Sequence, residues 1–226
     1  MTEVKLISYT QINPELQLEI KTLEELIAYV ARISNPTNQN NNLTAPKLIN
    51  YLINHKHWSP LEMVDITLEI KTTRDITRQI IRHRSFVFQE FSQRYSDPNI
   101  LFNSNINQIK KIRLQDKKNR QSSIEIDDEH LNFKWQQYQN NIWENSIKAY
   151  NWAIENNIAK EVARVVLPEG LTFSRLYMKG SLRSWIHYIE TRTSFETQKE
   201  HREIALKCAK VIKLIFPNII NFILLE

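Results

Sequence analysis

The chain has 226 residues, enough for a sizeable buried core, and its 42% hydrophobic and 24% charged content is ordinary for a globular protein. A formal charge of +5 and a pI near 9.2 favour anionic partners without separating a nucleotide from a nucleic acid. A single cysteine, Cys208, excludes an internal disulfide or a cysteine-built zinc cage, and two glycines, Gly170 and Gly180, exclude a Rossmann fingerprint or Walker A loop.

The opening MTEVKLISYT lacks the basic start and apolar run of a signal peptide, so a reducing, cytoplasmic setting is expected. Val4 to Tyr9 reads as a first strand. Thr22-Leu-Glu-Glu25 is a capping-box pattern, and Leu23, Leu26, Ile27, Val30 and Ala31 then form one helical stripe. Asn35 to Leu43 is polar, Asn-rich loop. A helix is expected from Ala45 to Asn54, with Pro46 in its first turn and Leu48, Tyr51 and Leu52 facing inward; His55 to Pro60 turns away from it. Val64, Ile66, Leu68 and Ile70 alternate with Asp65, Thr67, Glu69 and Lys71, the period of a half-buried strand. Thr72 or Thr73 can cap a helix carrying Arg74, Arg78 and Arg82 on one side, and past Arg84 the residues Phe86 and Phe88 look extended.

Residues 96–128 carry mixed charge and little apolar periodicity, which suggests a long connecting segment. Leu131, Trp135, Tyr138, Ile142, Ala149 and Ala153 recur at helical spacing between Glu129 and about Asn157. A short helix from Ala159 holds Val162, Val165 and Val166 and stops before Pro168. Another starts near Leu182, with Trp185, Ile186 and Ile189 as its apolar stripe and Arg183 and His187 on a different face. Phe195 to Phe216 makes a further amphipathic helix closed by Pro217, with Ile219 to Leu225 as a tail. Few strands, several helices and no βαβ alternation give an α+β fold: one domain over residues 1–226, with a small, mainly antiparallel sheet and no Rossmann unit.

The stretch Arg78 to Tyr95, RQIIRHRSFVFQEFSQRY, places Arg78, Arg82, His83, Arg84 and Arg94 among apolar anchors. Such cations repel unless an anion sits among them or water screens them, and the guanidinium fork suits bidentate phosphate contacts. With so little glycine to let backbone approach a phosphate, any nucleotide must be held mainly by side chains.

Within that stretch Arg82-His83-Arg84, seven residues, Ser92, one residue and Arg94 form a fixed-spacing signature. It resembles that of the flavin-dependent thymidylate synthases. The segments His57-Trp-Ser59-Pro60, Glu161-Val-Ala-Arg164-Val-Val-Leu-Pro168 and Ser181-Leu-Arg183-Ser-Trp-Ile-His187-Tyr-Ile-Glu-Thr-Arg192 are similar to that family's, in the same order. The resemblance implies reductive methylation of dUMP to dTMP, with methylene-tetrahydrofolate as carbon donor and NADPH-reduced FAD as hydride donor. It also implies an α+β homotetramer with shared sites.

Carried over by position, Gln79, Arg82, Glu90, Ser92, Gln93, Arg94, Arg164 and Arg192 hold dUMP, and Arg192 is the catalytic group that polarises the uracil. Ser59, Arg82, His83, Arg84, Glu90, Ser181, Arg183 and His187 hold FAD, with His57 near the flavin. At Ser181 and His187 family members commonly carry Asn. On this reading Arg94 and Arg164 meet the dUMP phosphate, and Arg82, Arg84 and Arg183 meet the FAD pyrophosphate.

Each residue also has a plainer reading. His55 and His57 lack the further ligands of a metal site and suit a solvent-facing turn. Ser92 has no legible His–Asp partners, and Glu90 can pair with an arginine for structural reasons alone. Trp135, Trp143, Trp152 and Trp185 suit core positions on helices, and Lys110, Lys111, Arg113, Lys117, Lys118 and Arg120 suit a solvated basic surface. From another class, a nucleic-acid-binding module could use that basic loop with Phe86, Phe88 and Phe91 as stacking groups. A third possibility is a catalytically silent nucleotide sensor on the same scaffold. Cys208 shares the apolar side of its helix with Ile204, Val211, Ile212 and Ile215, so it reads as a small core hydrophobe and not a nucleophile. Cys208→Ser is therefore expected to keep its turnover; complete loss with normal folding and FAD content would overturn that assignment.

Overall fold

The structure, a computed structural model, describes residues 2–15, 19–102 and 109–219. In chain order these form β1 (Glu3–Tyr9), α1 (Leu23–Ala31), α2 (Ala45–Asn54), a 3-10 turn (Ser59–Met63), β2 (Asp65–Thr73), α3 (Arg74–Ile80) and β3 (Val87–Glu90). Then follow α4 (Asn99–Phe102), β4 (Arg113–Gln115), β5 (Ser123–Glu125), α5 (Glu129–Glu155), α6 (Lys160–Ala163), β6 (Phe173–Ser181), α7 (Leu182–Thr193) and α8 (Lys199–Lys213). The expected tail beyond Ile219 lies outside the described residues. Among those described, no helix is long and apolar enough to cross a membrane.

The main sheet runs β1-β2-β6-β3 with every neighbouring pair antiparallel, which bears out the α+β expectation. Its spine is the pairing of β2 with β6, continuous from Asp65 opposite Ser181 to Thr73 opposite Phe173. Ile66, Leu68 and Ile70 of β2 share one core with Leu176 and Met178 of β6, Trp185, Ile186 and Ile189 of α7, and Ile204, Cys208 and Ile212 of α8. Ile27 of α1 and Ile49, Leu52 and Ile53 of α2 complete it. The capping box at Thr22 and Glu25 is present in both directions.

Several expectations need correction. β6 is absent from the sequence reading, because Ser174 and Gly180 occupy two of its four inward positions and leave only Leu176 and Met178 to mark the alternation. Helix α3 ends at Ile80, so Arg82 lies in the turn that follows, its N–H donating to the Gln79 carbonyl at 3.3 Å. Tyr51 faces out and stacks on His55 at 3.9 Å, while Ile49 and Ile53 take the inward places.

Residues 96–128 hold α4 and the hairpin β4–β5, tied down by Arg113 to Glu200 and Lys199 to Glu125. Lys110 pairs with Asp75, so neither it nor Arg113 belongs to a freely solvated basic surface. Leu131, Trp135, Tyr138, Ile142 and Trp152 of α5 are exposed, because the described residues bury only Gln139, Tyr150 and Ala153 of that helix. The last helix opens at Lys199 and not Phe195; Phe195 is exposed beneath the Arg202 guanidinium.

Gly180 is needed for room. A Cβ there would lie 2.5 Å from Cδ1 of Phe86, whose ring is backed by Trp185 at 4.8 Å and Tyr188 at 6.0 Å. Gly180→Ala should therefore overpack the junction between β6 and the loop before β3, costing roughly 1–3 kcal/mol. A urea titration should show that loss and its recovery in the double variant with Phe86→Leu; an unchanged midpoint would contradict the packing described.

Candidate active site

The turn after α3 brings His83 against the last turn of α7. There Arg192 Nε donates to His83 Nε2 at 2.9 Å, and the His83 ring stands edge-on to Tyr188 at 5.0 Å. Nε2 can accept only if the proton sits on Nδ1, so this imidazole is neutral. Burial first, then the Arg192 cation, lowers its pKa from the ordinary 6.5 to about 4.

Behind it lies His201, fully buried on α8 and not singled out by sequence. Its Nε2 is 3.1 Å from the Tyr188 hydroxyl and its Nδ1 3.3 Å from Gln79 Oε1. Burial, then Arg192 and His83, lowers its pKa to about 3. The only sequence signal is spacing: His201 precedes Ile204, Ala205 and Cys208 by three, four and seven residues, which places it on the helix's apolar stripe.

A second group gathers at the start of α7. Ser181 caps the helix, accepting from the Ser184 N–H at 3.3 Å, and Ser184 Oγ donates to the Ser85 carbonyl at 3.3 Å. Arg183 pairs with Glu62 of the 3-10 turn that Ser59 opens, and His187 lies 4.3 Å from the Trp58 ring and 3.5 Å from Glu190 Oε2. Ser59, Ser181, Arg183 and His187 thus surround one surface. Arg82 and Arg84 are exposed, and neither side chain has a hydrogen bond or ion pair among the described residues. His55 and His57 are exposed, as a solvent-facing turn requires.

A third group follows β3. Glu90 Oε1 accepts from Thr77 Oγ1 at 2.9 Å and Ser174 Oγ at 2.7 Å, so this carboxylate is fixed by hydroxyls. Ser92 Oγ accepts from the Arg94 N–H at 3.3 Å, a turn contact and not a catalytic triad. Arg94 Nε lies 3.6 Å from Glu161 Oε2, and Arg164 Nε donates to the Glu161 carbonyl at 3.3 Å, so one residue holds both cations. Gln93 is buried with its amide nitrogen unpartnered among the described residues, a costly arrangement that a polar ligand would relieve. Arg74, buried and absent from the expected site, has its pKa lowered by burial despite Glu90 and Glu169 nearby.

Among the described residues, no hydrogen bond or ion pair joins Arg94 and Arg164 to Gln79 and Arg192. Phe86 is buried in the core, which removes it from any row of base-stacking aromatics.

The chain matches the thymidylate synthase complementing protein family over residues 15–218. It is 47% identical over 215 residues to a probable flavin-dependent thymidylate synthase of Paramecium bursaria Chlorella virus 1, covering 95% of each chain. To the flavin-dependent thymidylate synthase of Synechocystis sp. it is 48% identical over 219 residues, covering 96% of this chain and 97% of the other. The fold is similar to a UMP/dUMP methylase, PolB, from Streptomyces cacaoi bound with 5-Br dUMP. That likeness has a TM-score of 0.78 at 21% identity over 98% of this chain and 94% of that one.

Two imidazoles held neutral make stability depend on pH. Their folded pKa values, about 4 and about 3, lie below the ordinary 6.5, so the unfolded chain binds protons first. Their contribution is full above about 6.5 and falls as pH drops towards 4. Over that window Tm should decline more steeply in the wild type than in His201→Phe; parallel slopes would contradict the assignment.

Proposed function

The chain belongs to the flavin-dependent thymidylate synthase family, and on that premise we propose that it converts dUMP to dTMP by reductive methylation. Methylene-tetrahydrofolate is the carbon donor, FAD the flavin and NADPH its reductant. The observation that carries the reading is the pairing of Arg192 with neutral His83. One of five guanidinium N–H bonds is committed to His83 Nε2, which orients the group and leaves its two terminal NH2 groups for a ligand.

The residues present fit both anionic ligands. Arg82 and Arg84 have no carboxylate partner among the described residues, and Arg183 lies on the same side of α7 as Ser181 and His187; these would hold the FAD. When bound, the flavin supplies the hydride that completes the methyl group. Arg94 and Arg164, gathered by Glu161, would take the nucleotide phosphate, with Ser92 and the unpartnered Gln93 amide beside them. Glu90, fixed by Thr77 and Ser174, would serve both ligands.

Methylation at C5 of uracil requires an electron-rich ring, and negative charge then develops on the pyrimidine oxygens. Arg192 would stabilise that charge from a position already set by His83, so little reorganisation accompanies the reaction. No thiolate assists: Cys208 is fully buried, and burial pushes its thiol far above the ordinary value.

We take the sites to be shared between the subunits of a homotetramer, as the family resemblance implies. The exposed apolar side chains of α5 suit such contacts. On this reading residues 1–226 act as one unit in the cytoplasm.

An anaerobic assay with dUMP, methylene-tetrahydrofolate, FAD and NADPH should yield dTMP and release tritium from C5-labelled dUMP. A protein that stays flavin-free and leaves dUMP unbound would end the reading. Arg192→Met, which keeps the aliphatic stem, should lower kcat about a hundred- to a thousandfold while flavin content is retained. An unaltered kcat would remove Arg192 from the chemistry.

A further inference from the structure

Gln79 stands in the middle of a chain of hydrogen bonds whose direction is fixed by a single charge. Its Nε2 donates to Gln198 Oε1 at 2.7 Å, and Gln198 Nε2 donates to Glu200 Oε2 at 2.9 Å. One terminal nitrogen of Arg113, on β4, lies 2.7 Å from Glu200 Oε1 and 3.0 Å from Oε2, with both side chains largely covered. Burial alone would raise the Glu200 pKa, but bonds from Gln198, its own backbone amide and Arg113 hold the carboxyl below its ordinary range. It is therefore ionised at neutral pH and can only accept.

Each orientation then follows from the one before. An accepting Glu200 turns the Gln198 amide nitrogen towards itself and its oxygen towards Gln79. Gln79 must then present nitrogen to Gln198 and oxygen to His201. His201 must carry its proton on Nδ1 to donate to that oxygen, which leaves Nε2 to accept from the Tyr188 hydroxyl. A reversed Gln79 amide would set its oxygen against the Gln198 oxygen, acceptor against acceptor. Gln79 retains one amide hydrogen and one carbonyl lone pair for a ligand.

We infer that His201, Gln198, Glu200 and Arg113 are positioning residues for the nucleotide, fixing which atom of the Gln79 amide faces the substrate and tying that choice to the β4–β5 hairpin. The inference rests on the proposed use of Gln79 in dUMP binding. It gives a task to a segment otherwise legible only as a connector. It also explains why a fully buried histidine on α8 is neutral yet bonded at both nitrogens. None of these four residues needs to touch the nucleotide; they act through Gln79.

The test uses the FAD-loaded full chain and titrates dUMP calorimetrically, with FAD affinity and Tm measured alongside. Glu200→Gln keeps the shape but lets Gln198 and Gln79 turn over, and Arg113→Met removes the charge that holds Glu200. Each should weaken dUMP binding about three- to tenfold, the worth of one neutral hydrogen bond, and raise KM with kcat little changed. Arg113→Lys should restore most of the loss. His201→Phe should act in the same direction; if it fails to fold, the two hairpin-side variants decide. Unchanged dUMP affinity in Glu200→Gln and Arg113→Met would overturn the inference, and so would equal losses of dUMP, FAD and Tm. A wild type that binds FAD but no dUMP would instead overturn the functional reading beneath it.

Discussion

A guanidinium can donate to a half-buried imidazole only if that ring is neutral, and Arg192 and His83 meet on that condition. The bond between them is 2.9 Å long, the imidazole accepts, and both burial and the neighbouring cation keep it from protonating. One nitrogen of the arginine is thereby fixed and the rest left to act. His201, Tyr188 and Gln79 form the wall behind this pair, and every one of their polar contacts is consistent with neutral imidazoles. Protonating either ring would place like charges side by side, at the point where a nucleotide would need order.

The fold produces this meeting through two strand-to-helix junctions. β2 runs directly into α3 at Thr73–Arg74, and β6 runs directly into α7 at Ser181–Leu182. Because β2 and β6 are antiparallel and in register along their whole length, those junctions sit at opposite ends of the pair. The helices then travel towards each other until the turn after α3 reaches the last turn of α7. Gly180 belongs to the same arrangement, since Phe86 packs over it and fixes the path from that turn into β3. On the proposed function, side chains from this junction, and not glycine-lined backbone, would do the gripping.

Much of this was legible in the chain itself. The alternation from Val64 to Ile70, the Thr22–Glu25 cap and the Ala45–Asn54 helix followed from period and capping chemistry, because local geometry decides them. The spacing of Arg82, His83, Arg84, Ser92 and Arg94 marked the candidate site. β6 escaped because Ser174 and Gly180 sit inward for reasons that lie in their neighbours, a hydroxyl for Glu90 and a space for Phe86. Tyr51 and the outer side of α5 misled because helical spacing identifies a face without saying what covers it. His201 was hidden by the same logic, since on an apolar stripe a neutral histidine looks like any core residue. The bond from Arg192 to His83 spans 109 positions, and no local rule reaches that far.

The most direct test of the account is the protonation state of His83. Nitrogen-15 NMR of histidine-labelled protein near neutral pH should show its Nδ1 protonated and its Nε2 bare and hydrogen-bonded, with the latter signal shifting in Arg192→Met. An imidazolium at that pH, or a proton on Nε2, would contradict it.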